Sequence, residues 1–180
     1  KFAGIDGVII DWYGTSDYLD HAATHRNVLK LIPWLKKAGL KFALCYEDKS
    51  LEERVHHKSL TAEAAQKQAL DDLQWAQKEC FQDPSYLHDN GQPILLLFGP
   101  QYLQNESWRS IQSALTSNPK TYALPHLREK SHVPGAFAWP PVAKGKTLSP
   151  AQWHQELETL YSQPWAQNTP PIATVFPSRS

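Results

Sequence analysis

The sequence predicts an α/β fold, a (β/α)8 TIM barrel that is incomplete in this chain, with about six of its eight strands. Three observations carry that reading. Short, continuously apolar runs recur along the chain, longer amphipathic segments separate them, and no glycine-rich phosphate loop follows the first run. Continuous apolar runs suit parallel strands buried on both faces, and the amphipathic spacers suit crossover helices. An open, doubly wound sheet is the competing architecture. The first run closes on Asp11-Trp12-Tyr13-Gly14, bulky aromatics where a nucleotide-binding turn would place glycines, and this favours the barrel.

The strand candidates are residues 5–12, 40–47, 93–98, 122–127, 136–139 and 172–176. Val8-Ile9-Ile10 marks the first, Phe42-Ala43-Leu44-Cys45-Tyr46 the second, and Ile94 to Phe98 the third, which Gly99-Pro100 stops. The stretch between Leu127 and Gly135 is too short for a helical crossover of about a dozen residues. Either one of the two flanking runs lies outside the barrel, with 122–127 the first to be set aside, or this unit is degenerate.

Four helices are expected between the strands. Residues 27–38 place Val28, Leu31, Ile32 and Leu35 on one face; Pro33 should kink or restart this helix, and Gly39 ends it. Thr61 caps a long helix with Ala65, Ala69, Leu73 and Ala76 as its apolar stripe. Asn105 precedes a helix carrying Trp108, Ile111 and Leu115. Ser149-Pro150-Ala151-Gln152 combines an N-cap serine, a proline in the first turn and a glutamine completing a capping box, ahead of Trp153, Leu157 and Leu160. Trp34, Trp75, Trp108 and Trp153 fall within these helices and are read as packing residues.

The 180 residues are expected to form a single, partial barrel domain. A complete barrel takes about 250 residues, and a chain without Met that opens almost directly on a strand reads as a piece of a longer protein, so a signal peptide would lie upstream. Lys+Arg and Asp+Glu both number 18, a balance that argues against nucleic-acid binding. No apolar run approaches the roughly 18 residues of a membrane span. A monomer is expected. Cys45 and Cys80 read as free, buried thiols, although one disulfide stays open for an exported protein. Without CxxC, HxH or HExxH spacings, neither a metal site nor a cofactor is expected.

In a barrel, active groups gather where strands end and loops begin. Here every such exit carries an aromatic or ionisable residue. Cleavage of a glycosidic bond needs two carboxyl groups, and Asp11 and Glu47 end neighbouring strands about 4.8 Å apart; they are the catalytic candidates. Flat rings pack on the C–H faces of sugars, which makes Trp12, Tyr13, Tyr46 and Trp139 candidates for substrate binding, together with Asp48 and His126. Structural alternatives stand beside these. Asp48 suits a helix cap or turn, Trp12 and Trp139 suit a core, and His56-His57 suits a solvated loop.

Taken together, Gly4-Ile5-Asp6-Gly7-Val8-Ile9-Ile10-Asp11-Trp12-Tyr13-Gly14, the run from Gly39 to Asp48, the run from Gln92 to Pro100, and Ala136-Phe137-Ala138-Trp139-Pro140 resemble strands of the glycoside hydrolase family 71/99-like group, in consistent order. The resemblance implies a (β/α)8 barrel, secreted or periplasmic, that cleaves α-linked glycans with retention and with help from the sugar's 2-hydroxyl. It also maps a Glu-bearing strand onto Glu47. The family's acidic motif in a late barrel segment has no match here. The expected partner is therefore an oligo- or polysaccharide, and the expected activity that of a glycosidase. A catalytically inactive, sugar-binding barrel is the alternative, and an α/β enzyme of unrelated chemistry is a third.

Overall fold

The computed structural model describes residues 4–128, 133–139 and 149–162. Within them the chain runs β1 (Gly7–Trp12), α1 (His21–Lys37), β2 (Lys41–Tyr46), α2 (Lys49–His56), α3 (Ala62–Glu79), β3 (His88–Asp89), β4 (Gln92–Leu97), α4 (Asn105–Ala114), β5 (Lys120–Ala123), β6 (Gly135–Ala136) and α5 (Pro150–Tyr161). The main strands lie in the order β1-β2-β4-β5-β6, every neighbouring pair parallel. Strand β3 is a short hairpin partner of β4, joined through Asn90-Gly91, both at positive φ. Asn-Gly is the dipeptide that accepts such a turn most readily.

Two features distinguish a partial (β/α)8 barrel from a doubly wound sheet. Among the described residues the strand order never reverses, so they contain no topological switch point. Three of the helices also share one face. Trp12 packs on His25 of α1 and Trp75 of α3, and Tyr46 packs on Trp108 of α4. Trp12 stands opposite Tyr46 in the β1–β2 register, so α1, α3 and α4 cover the same side of the sheet. The other side is the barrel interior.

The predicted helices are present, with informative differences. Thr61 caps α3 by accepting the Ala64 N–H (3.2 Å), and Ala65, Ala69, Leu73 and Ala76 are all buried. Ser149 and Gln152 complete the capping box of α5. Helix α1 starts at His21, six residues earlier than expected, and runs unbroken through Pro33. Pro33 is exposed and so is Leu29, four residues before it, so water can serve the carbonyl that proline leaves unpaired. The charged stretch around His56, expected as a loop, forms α2.

Both runs that the short connection set in competition are strands. β5 pairs with β4 and β6 pairs with β5. These strands are only four and two residues long, so the return path is short and no helix is required to span it. The expected run 122–127 is correspondingly displaced to 120–123, because Leu124 onward turns back through Leu127 N–H to Leu124 C=O (2.9 Å). The expected strand at 172–176 lies outside the described residues.

β1 is an open edge. Ile9 (44% exposed), Leu31 (41%) and Trp34 (65%) stand beside it, so Leu31 and Trp34 do not join the core as expected. Apolar clefts lined by Val8 and Ile9, and by Ile10, Leu31 and Trp34, flank this strand, and neither reaches Asp11 or Glu47. Among the described residues no helix is long and apolar enough to cross a membrane.

Candidate active site

Side chains alternate across a strand, so Asp11, next to the helix-facing Trp12, stands on the interior face opposite Cys45. Glu47 follows Tyr46 and shares that face. Its N–H donates to the Trp12 carbonyl (3.1 Å), which carries the strand pairing one residue past Tyr46. Asp11 and Glu47 are thereby diagonal neighbours at the C-terminal ends of adjacent strands, on the side away from the helices.

Their ionisation is coupled. Burial, then the charge of Asp11, pushes the Glu47 carboxyl up to about 7, with Asp48 and Glu53 adding to the effect and Lys49 opposing it. Burial also raises Asp11, against a backbone N–H bond from Trp12. The charge of Asp11 opposes loss of the Glu47 proton, so Glu47 changes its protonation state close to neutrality. The Asp11 Oδ1 atom is buried without a hydrogen-bond partner.

Two other buried carboxylates hold the loops around this pair. Asp72 of α3 accepts the Thr15 N–H (2.8 Å), the Thr15 hydroxyl (2.7 Å), the Tyr46 hydroxyl (2.9 Å) and the Gln68 amide (3.0 Å). It thereby fixes the loop that follows β1. Asp48 accepts the N–H groups of Gln101 (2.8 Å), Tyr102 (3.0 Å) and Leu103 (2.8 Å) and fixes the loop that follows β4. A glycine sits against each carboxylate: a Cβ on Gly14 would lie 2.2 Å from Asp72 Oδ2, and one on Gly99 would lie 2.6 Å from Asp48 Oδ1. Burial pushes both pKa values up, against donors that favour the ionised form.

These placements correct part of the sequence reading. Asp48 was expected to bind substrate, but its carboxylate is buried and used by three backbone donors. Trp12 and Tyr46 were expected to stack on sugar, yet both are fully buried in the helix-facing core. Their rings pack on each other (5.8 Å), on Trp75 and on Trp108, leaving no free face. Tyr13 does lie near the carboxylates. Burial, then the charges of Asp11 and Glu47, raises its hydroxyl pKa, and its ring stands 5.4 Å from His21. Trp139 is 37% exposed, and its ring meets those of Phe98 and Phe137. His126 is exposed in the turn after β5.

Phe98 was not anticipated. Its N–H bonds the Tyr46 carbonyl (2.9 Å), which places it beside Glu47 across the β2–β4 pair, and its ring meets Trp139 edge-on at 4.7 Å. Cys45 and Cys80 are buried free thiols. Burial, helped by Asp11 and Glu47, holds the Cys45 thiol well above its usual value. Among the described residues no three or more His, Cys, Asp or Glu side chains are placed to hold a metal ion.

No protein-family model and no curated protein matches the chain. Two solved structures are similar to it. One is the GH99 endo-alpha-mannosidase from Bacteroides thetaiotaomicron, at 14% identity and a TM-score of 0.63, over 96% of this chain and 49% of that one. The other is a glycoside hydrolase-like protein, at 13% identity and a TM-score of 0.60, over 96% of this chain and 59% of that one. The chain thus spans about half the length of the structures it matches. At such identities the likeness is one of fold, in agreement with the resemblance read from the strand ends.

Proposed function

We propose that this chain carries glycoside hydrolase chemistry on an α-linked glycan, with Glu47 as general acid and Asp11 as its ionised partner. The observation that supports it is the pair itself. A carboxyl pushed up to about 7 sits beside a carboxylate at the mouth of a barrel, and an acid that still holds its proton at neutral pH is what departure of an alkoxide needs.

In this reading Glu47 gives its proton to the glycosidic oxygen as the bond to the anomeric carbon breaks. Asp11 supplies negative charge to the sugar as positive charge develops there. Water then adds to the anomeric carbon and its second proton returns to Glu47, so atoms and charge balance. Tyr13 stands within electrostatic reach of both groups, and His126, exposed in the turn after β5, is assigned a sugar contact in this reading. A carbohydrate substrate, a role in carbohydrate metabolism and export from the cell go together in this reading, as the family resemblance implies.

The test uses substrates with different needs. α-Glycosyl fluorides lose fluoride with little acid assistance, whereas oligosaccharides need the proton. Glu47→Gln should lose turnover of α-manno- or α-gluco-oligosaccharides, keep binding them, and retain most turnover of the matching fluoride. If Glu47→Gln cleaves oligosaccharides as fast as the native protein, Glu47 is not the acid. Binding by the native protein with no turnover of either substrate would instead favour a barrel that only holds sugar.

A further inference from the structure

The interior residues at the strand ends form an ordered row. Asp11 follows from β1, Glu47 from β2, Phe98 from β4 and Trp139 from β6, in the order in which the strands lie in the sheet. Neighbouring strands are about 4.8 Å apart, so Phe98 adjoins Glu47 on the side away from Asp11. β6 is two strands beyond β4, yet the Trp139 ring reaches back to 4.7 Å from Phe98. The mouth is therefore divided: carboxylates on the β1–β2 side, an edge-to-face aromatic pair on the β4–β6 side.

We propose that Phe98 and Trp139 form the subsite for the sugar on the leaving-group side of the cleaved bond. The assignment rests on the proposed role of Glu47. A general acid acts on the oxygen between two sugars, and its ionised partner faces the sugar that keeps the anomeric carbon. With Asp11 on one side of Glu47, that sugar lies toward β1, and the departing sugar extends toward β4 and β6. There it meets Trp139, which is 37% exposed although its ring is braced by Phe98. A flat apolar ring held rigid at one edge offers its face to the C–H side of a pyranose at little conformational cost.

The experiment compares kcat/KM for α-linked disaccharides with that for the matching α-glycosyl fluorides, whose leaving group occupies no sugar subsite. The disaccharide panel contains α-mannobiose and α-glucobiose. Trp139→Leu and Phe98→Leu keep an apolar side chain without an aromatic face. Each should lower kcat/KM on a cleaved disaccharide about tenfold, a typical effect of losing one good stacking contact, and leave the fluoride within about twofold. Trp139→Phe, which restores a ring, should recover most of the loss. An equal fall for both substrates would make the pair structural and overturn the assignment. A fall confined to the fluoride would move the subsite to the other side of the bond and overturn it also. If the native protein turns over neither substrate, the hydrolase reading itself fails, and the subsite falls with it.

Discussion

The carboxylate of Asp72 fills the space that a side chain at Gly14 would occupy, and Gly14 holds φ at +90°. Glycine is therefore required there twice, by backbone conformation and by contact. Gly14→Ala should destabilise the protein by about 2–4 kcal/mol in urea unfolding. It should also lower any activity further than folding explains, because the displaced loop begins at Tyr13, two residues from Asp11. Asp72→Ala removes the clash while stranding the Thr15 N–H and the Tyr46 hydroxyl, at about 2–4 kcal/mol. The double variant should cost clearly less than the two single changes added together. Strict additivity would mean that the two residues do not share this contact.

The coupled pair predicts a pH profile. Glu47 must be protonated and Asp11 ionised, so kcat/KM on an oligosaccharide should fall on the alkaline side with a midpoint near 7, where Glu47 loses its proton. Lys49 opposes that upward displacement, so Lys49→Gln should move the alkaline limb higher. Glu47→Gln should reduce oligosaccharide turnover by about 10²–10⁴ and remove the alkaline limb from the activity that remains. The fluoride, which needs little acid assistance, should show no such limb even with the native protein. A limb unchanged in Glu47→Gln would assign the titration to another group.

The same displacement has a consequence for stability. Folded Glu47 binds its proton more tightly than the unfolded chain does, so its contribution is fully present below the ordinary glutamate value of 4.5 and is lost as pH rises through about 7. The group is only half-buried, and contact with solvent reduces the effect to about 1–2 kcal/mol. Glu47→Gln should therefore exceed the native protein in stability at pH 8 by about that amount and match it near pH 4. Denaturant midpoints at the two pH values measure it; a native advantage at pH 8 would reverse the assignment.

The strand–helix alternation was legible because each apolar run and each stripe is a local pattern. Asp11 and Glu47 were legible because they close such runs. What local pattern could not supply is which way a side chain faces. Trp12 and Asp11 are adjacent in sequence and lie on opposite sides of the sheet, so one belongs to the core and the other to the mouth. The sheet pairing is non-local and decides this. Asp72 had a signal: it lies three residues after Ala69 and seven after Ala65, on the buried stripe of its helix, where a carboxylate must have partners. Phe98 looked like the last residue of an apolar run, and only its register beside Glu47 and its contact with Trp139 set it apart.

That parity distinction is itself testable in the two tryptophans. Trp12 is fully buried, donates from Nε1 to His25 Nδ1 (3.2 Å) and packs on Trp75 at 5.2 Å. Trp12→Phe loses the hydrogen bond and part of the packing, which should lower stability by about 1–3 kcal/mol and leave affinity for any bound oligosaccharide unchanged. Trp139, half-exposed at the mouth, should show the reverse: small effects on unfolding from Trp139→Leu and a clear loss of affinity. Isothermal titration and urea unfolding on the same two variants give all four values. A Trp12→Phe protein that unfolds normally but binds sugar tenfold less tightly would place the Trp12 ring against the ligand and turn β1 over, with Asp11 facing the helices.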